Sequence, residues 1–284
     1  MAAVLHRVST THFKRTHPNR HNAVPMPISM QLTYLRRTAE GPALITVQDV
    51  KLGARTSTIH ITLSQEDPSN PPNSLVQSAL LVGYITISDP VAEVGVSGET
   101  GWKLCPPAPP GNPVAGSWVL TSTLFPKFRH AANRVEIYAP GPGQNPVQKK
   151  GILDTWARLR PIGGQDDKPK WTDEGVAFLA DMYPMPVPSS DFRSSPGRDF
   201  WFPTVTLNID FKKQLPAGGM EWLYSRVQTR AVRNGRLDID ITIMGEDGEV
   251  VALGNQVALA LDASRNTGGR QSSSVKSDAE KAKM

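Results

Sequence analysis

The chain has one cysteine, Cys105, in 284 residues. That excludes an intramolecular disulfide framework and any zinc site built on several cysteines. No stretch approaches the ~20 consecutive apolar residues that a membrane helix needs, so a helical span is excluded. There is no phosphate loop either: Gly141-Pro142-Gly143 lacks a following Lys-Ser/Thr in a strand-to-helix context and reads as a turn. The body of the chain also lacks positive charge, although the pI is about 9.3. Residues 1–22 carry Arg7, Lys14, Arg15 and Arg20 with no acid, which is +4. Residues 263–284 carry five bases against Asp278 and Glu280, which is +3, so a total of +5 leaves −2 for residues 23–262. A phosphate-backbone partner needs a basic face on the folded part, so a nucleic-acid binder is disfavoured.

What is present is enough for a sizeable core, since 39% of residues are hydrophobic and 20% charged. The length exceeds the usual single domain and predicts two domains or one doubled fold. With 25 prolines and 23 glycines between short apolar runs, strands are favoured over long helices. A first segment, Ala2 to Phe13, places Val4, Leu5 and Val8 at roughly helical spacing, closed by Pro18 and Pro25. Strands are then predicted over 28–35, 43–50, 56–65 and 78–88, the third alternating Ile59, Ile61 and Leu63 with Thr58, His60 and Thr62. Residues 95–117, dense in glycine and proline around Cys105, read as a linker.

Beyond the linker the order repeats. Strands are predicted over 134–138 and 153–159, followed by a helix with Thr172 as N-cap and Asp173 and Glu174 in its first turn. That helix is expected to run to Asp181-Met182, before Pro184. Further strands are expected over 203–212, 221–232 and 237–244, a hairpin turn at Glu246-Asp247-Gly248-Glu249, and a last strand over 250–261. The tail from Ala263 reads as disordered. A helix on a curved antiparallel sheet, used twice, is an α+β architecture.

Several strings carry a resemblance. Glu221-Trp222-Leu223-Tyr224, Asn234-Gly235-Arg236-Leu237-Asp238-Ile239-Asp240, Asp247-Gly248-Glu249-Val250-Val251-Ala252 and Asn255-Gln256 resemble the acyl-CoA thioesterase II family, and in particular fungal thioesterase-like proteins. Tyr34-Leu35-Arg36-Arg37, Gly41-Pro42-Ala43 and Val50-Lys51-Leu52-Gly53 are similar to that family's first half. The resemblance implies a double hot-dog, two antiparallel sheets each wrapped on a central helix. Residues 1–94 would form the first hot-dog, 95–117 the linker, 118–262 the second hot-dog and 263–284 the tail. It also implies hydrolysis of an acyl-CoA or related acyl thioester, in fatty-acyl or secondary (polyketide) metabolism, and association of copies through sheet edges. No cofactor is implied.

In that family an aspartate, a threonine and a glutamine position the attacking water. By resemblance, Phe178-Leu179-Ala180-Asp181-Met182-Tyr183-Pro184 assigns Asp181, Pro203-Thr204-Val205-Thr206 assigns Thr204 with Thr206 as the fallback, and the Val-Ala pair of the last strand assigns Gln256. Independently, Gln256 lies in a run that is apolar on both faces, so its amide is expected to be buried and hydrogen-bonded. Two departures point to the alternative, a non-catalytic acyl- or ligand-binding accessory protein of a biosynthetic pathway. The family's Gly-Gly-aromatic turn before the central helix has no counterpart, as though the chain begins inside that helix. The family's Asp-His near the threonine strand is Thr206-Leu207 here.

His6, His12, His17 and His21 crowd the N-terminus at spacings of six, five and four, which suit no single helical metal face, so no metal site is expected. Ala282-Lys283-Met284 is similar to a C-terminal peroxisomal signal, which gives a peroxisomal or cytoplasmic location as the expectation. The basic N-terminus is weakly similar to a mitochondrial transit segment, but the same residues fit the first helix, and the structural reading is preferred.

Overall fold

A computed structural model describes residues 1–20, 24–66, 77–121, 130–141, 151–161, 168–183 and 200–262. His21, Pro142, Gly143, Pro184 and the tail from Ala263 with its terminal tripeptide lie outside the described residues.

The first element is helix α1, Ala2–Thr16. Its buried residues Ala2, Leu5, His6, Ser9 and Phe13 follow i, i+3, i+4, i+7 and i+11, a single stripe at 3.6 residues per turn. Val4, expected on that stripe, is 49% exposed. The bulk of Leu5 and Phe13 sets the inward face, and Val4 lies one residue off it. Four strands follow: β1 (Met26–Tyr34), β2 (Leu44–Leu52), β3 (Ser57–Glu66) and β4 (Gln77–Ser88). In β3 the residues Ile59, Ile61 and Leu63 alternate with half-buried polar ones, as the period of two predicts.

The second half begins with β5 (Trp118–Leu120), β6 (Val135–Pro140) and β7 (Ile152–Leu159). Helix α2, Asp173–Leu179, comes next, shorter than expected by a turn. Thr172 sits at its N-cap but makes no capping bond to the backbone, its hydroxyl instead reaching Glu174 Oε2 at 3.0 Å. Then come β8 (Phe200–Trp201), β9 (Thr204–Phe211), β10 (Leu223–Gln228), β11 (Val232–Arg233), β12 (Arg236–Met244), β13 (Val250–Leu259) and β14 (Leu261–Asp262). Arg233 pairs with Arg236 across Asn234-Gly235, both at positive φ (52° and 75°). That is the two-residue hairpin that Asn-Gly favours, because both central residues must be left-handed.

Where two sheets each wrapped on a helix were expected, twelve of the described strands form one continuous sheet. Its order is β2-β3-β4-β1-β9-β13-β12-β10-β7-β6-β5, with β11 added on β12, while β14 and β8 pair separately. The halves fuse along antiparallel β1 and β9, where Met30 opposes Ile209 and Leu32 opposes Leu207. These four side chains are all buried, so the seam is part of the core and not a polar boundary. The helices likewise do not sit in separate wraps: α1 packs against α2 as well as over β1 and β4. The predicted linker is tied down too. Arg226, 1% exposed, holds Asp154 with Nε at 2.7 Å and Nη2 at 3.1 Å, and its other N–H groups donate to the carbonyls of Pro106 and Pro107.

Candidate active site

The turn that ends α2 places Asp181 next to the last strands. The N–H of Asp181 donates to Phe178 O at 3.1 Å, and the chain leaves the helix through buried Met182 and Tyr183. Thr204 opens β9, and Gln256 lies on β13, the strand bonded to β9. The register places Gln256 opposite Leu207 on β9 and Ile239 on β12. Gln256 is 4% exposed, as its doubly apolar run predicts.

These three residues meet. The Gln256 amide N–H donates to Thr204 Oγ1, and the Thr204 hydroxyl points at Asp181 Oδ1 at 3.5 Å. Thr206, the fallback, is one strand repeat further along, paired with Thr33 and Val257; Thr204 makes the contact. Two tyrosines that were not anticipated complete the array. Tyr183 donates its hydroxyl to Gln256 Oε1, and Tyr34, at the end of β1, donates to Asp181 Oδ2 at 3.4 Å.

The polarity runs one way. Protons point from Tyr183 to Gln256, from Gln256 to Thr204 and from Thr204 to Asp181, while Tyr34 approaches from the other side. Asp181 is the sink of the network, so the array stabilises a carboxylate that only accepts. Burial, then the charge of Asp181, pushes both tyrosine hydroxyls well above the ordinary range, with the direct hydrogen bond adding to Tyr34. Both therefore remain donors at neutral pH. The 3.4 and 3.5 Å contacts are longer than the 2.5–3.0 Å usual for O–H···O.

Asp181 also borders an open cleft of about 320 Å³, with Met1, His130, Phe178 and Met182 on its walls. Met1 is the N-cap of α1, so the positive end of that helix faces the same cleft. A larger hollow of about 500 Å³ lies elsewhere, among Arg36, Arg37, Glu40, Gln65 and Glu66. Of these two hollows among the described residues, the smaller is the one where a hydrogen-bonded carboxylate meets an apolar wall and a helix N-terminus.

Comparison with known proteins agrees with this architecture. The acyl-CoA thioesterase N-terminal domain matches residues 1–87 and the acyl-CoA thioesterase C-terminal domain matches residues 105–260. The thioesterase-like protein TwmA of Talaromyces wortmannii is 28% identical, over 88% of this chain and 81% of its own. Among solved structures, a conserved hot-dog protein from Alicyclobacillus acidocaldarius superposes with a TM-score of 0.62 at 14% identity, covering 92% of this chain and 87% of that one. The acyl-CoA thioesterase II TesB2 of Mycobacterium marinum gives 0.55 at 18% identity, covering 84% and 81%. At those identities the structural likeness establishes the fold, which is the hot-dog. The two domain matches go further, and the chain belongs to the acyl-CoA thioesterase family.

Proposed function

We propose that the protein hydrolyses an acyl-CoA or related acyl thioester with a water activated by Asp181. The observation that carries this reading is the one-way hydrogen-bond array from Tyr183 through Gln256 and Thr204 to a carboxylate at the cleft. A thioester carbonyl is already electrophilic, so a positioned base and water suffice and no covalent nucleophile is required. Water enters between Asp181 and the Thr204–Gln256 pair and attacks the carbonyl carbon as Asp181 takes its proton. The oxyanion that forms is stabilised by N–H groups at the start of α1, which have no carbonyl within the helix to bond. Collapse breaks the C–S bond, and the proton on Asp181 passes to the departing thiolate, restoring the carboxylate. Phe178 and Met182 supply an apolar wall for the acyl chain.

A thiol-release assay over acyl-CoA chain lengths tests this. Asp181→Asn keeps shape and hydrogen bonding but cannot accept the proton, so kcat falls by about 10²–10⁴ while the fold persists. Absence of turnover by the wild-type protein with every chain length would refute hydrolysis. It would favour the second reading, a non-catalytic acyl-binding protein in a biosynthetic pathway, for which the observation is Thr206-Leu207 on β9 where family members carry Asp-His.

A further inference from the structure

The histidines of α1 do more than their spacing suggests. Positions 12 and 17 are five residues apart, about 140° around an ideal helix, so an unbroken helix would point the two rings apart. The helix breaks at His17, its C-cap, whose φ of −133° and ψ of 54° turn the chain out of helical geometry. That turn swings the His17 ring back until its centroid is 5.5 Å from that of His12.

The third group comes from the sheet. Asp49 lies on β2, where the register against β3 shifts between Asp49 and Lys51. Such an irregularity re-aims a side chain on an edge strand. The Asp49 carboxylate receives His12 Nε2 on Oδ1 at 2.8 Å and His17 Nε2 on Oδ2 at 2.9 Å. One ligating atom from each of the three residues lies within 4.8 Å of the others.

We propose that His12, His17 and Asp49 form a binding site for one divalent transition-metal ion, with Zn²⁺ the ion their donors suit. Two imidazole nitrogens and one carboxylate oxygen are a recurrent three-ligand set for zinc, with a water in the fourth position. Thr16 Oγ1, 3.4 Å from His12 Nε2, stands where it can hold that water. Bonds of about 2.0–2.2 Å in a tetrahedron set donors roughly 3.4 Å apart, so the His–Asp pairs at 2.8 and 2.9 Å open slightly and the widest pair, within 4.8 Å, closes by at most about 1.5 Å, within the reach of side-chain rotation. The C-terminal carbonyls of α1 add negative potential. Arg20, donating to Gly53 O at 3.3 Å, and the adjacent Lys51 oppose it and hold affinity to a moderate value. The ion would clamp the end of α1 to edge strand β2, far from the cleft at the start of the same helix.

The test uses the full chain, stripped of metal with EDTA and titrated calorimetrically with Zn²⁺ alone. Saturable uptake of one ion per chain is expected, weakened at least about tenfold by His12→Ala and by Asp49→Asn. Substituting His60, whose ring lies tilted against Tyr84 at 5.1 Å instead, as His60→Ala leaves uptake unchanged. Asp49→Asn is isosteric and retains a hydrogen-bond acceptor, so circular dichroism should report an intact fold; thermal melting should show Zn²⁺ stabilising wild type and not this variant. Absence of saturable binding up to about 100 µM Zn²⁺ would overturn the proposal, as would wild-type affinity in both ligand variants.

Discussion

His6 offers a quantitative check on the packing of α1. It is 2% exposed, and neither ring nitrogen has a hydrogen-bond partner among the described residues. Its ring stands edge-on to Phe211 at 5.4 Å, with Glu174 of α2 the acidic group that acts on it. Burial pushes the imidazole down from 6.5 to about 4, against the opposing pull of Glu174. The native state therefore refuses a proton that the unfolded chain accepts below pH 6.5. Stability is full above that value and falls as the pH drops toward 4, at about 1.4 kcal/mol per pH unit. At about pH 5 the loss from this one group is about 2 kcal/mol. Urea unfolding followed by tryptophan fluorescence, for wild type and His6→Leu at about pH 7.5 and 5, isolates it, because other groups titrate alike in both proteins. Asp173, whose carboxyl burial pushes up against the Leu215 N–H that it accepts, is among those that cancel. The reasoning fails if both proteins lose the same stability to within about 0.5 kcal/mol, for then His6 is protonated or solvated in the native state.

Other perturbations read different parts of the molecule. Tyr34→Phe removes a donor from ionised Asp181, and losing a bond to the charged form disfavours that form. The acid limb of the kcat/KM profile should then move up by about one pH unit, and an unmoved limb would remove Tyr34 from the network. Tyr183→Phe leaves buried Gln256 Oε1 without that partner and should cost about 1–3 kcal/mol in thermal or urea unfolding. Arg226→Met strands buried Asp154 and should cost about 3–5 kcal/mol, largely recovered by adding Asp154→Leu; a double variant no better than the single would contradict an electrostatic origin. Gly235→Ala forces a side chain into the left-handed turn and toward Ala260 O, lowering stability by about 1–2 kcal/mol in the same assay.

Much of the fold was legible because most long strands announce themselves locally. The alternation of Ile59, Ile61 and Leu63, the Asn234-Gly235 turn and the doubly apolar run around Gln256 are all read within about ten residues. What the sequence hid is long-range. The bond pattern that fuses β1 to β9 joins Met30 to Ile209, and both strands are apolar enough to be central or edge strands by pattern alone. Short β5 escaped notice because three residues cannot show a period. The burial of Gln256 was expected, and the resemblance supplied Asp181 and Thr204, but neither route could supply the tyrosines. Tyr183 looks like one more apolar residue after a helix, and Tyr34 like the end of a core strand.

Tyr34 changes how the doubled fold is understood. Asp181, Thr204 and Gln256 all belong to the second half, so that half by itself holds every proposed reacting group. Yet the donor on the far side of the carboxylate comes from β1, 147 residues earlier in the chain. It reaches the site because β1 is bonded directly to β9, the strand that begins with Thr204. The α1 terminus at the cleft is a second loan from the first half. Two half-folds joined only by a tether would let both contributions wander by more than the sub-ångström tolerance that a hydrogen-bonded carboxylate allows. A continuous sheet removes that freedom. The buried β1–β9 seam therefore belongs to the architecture of the proposed site, and the second half on its own would keep Asp181, Thr204 and Gln256 but lose Tyr34 and the α1 terminus.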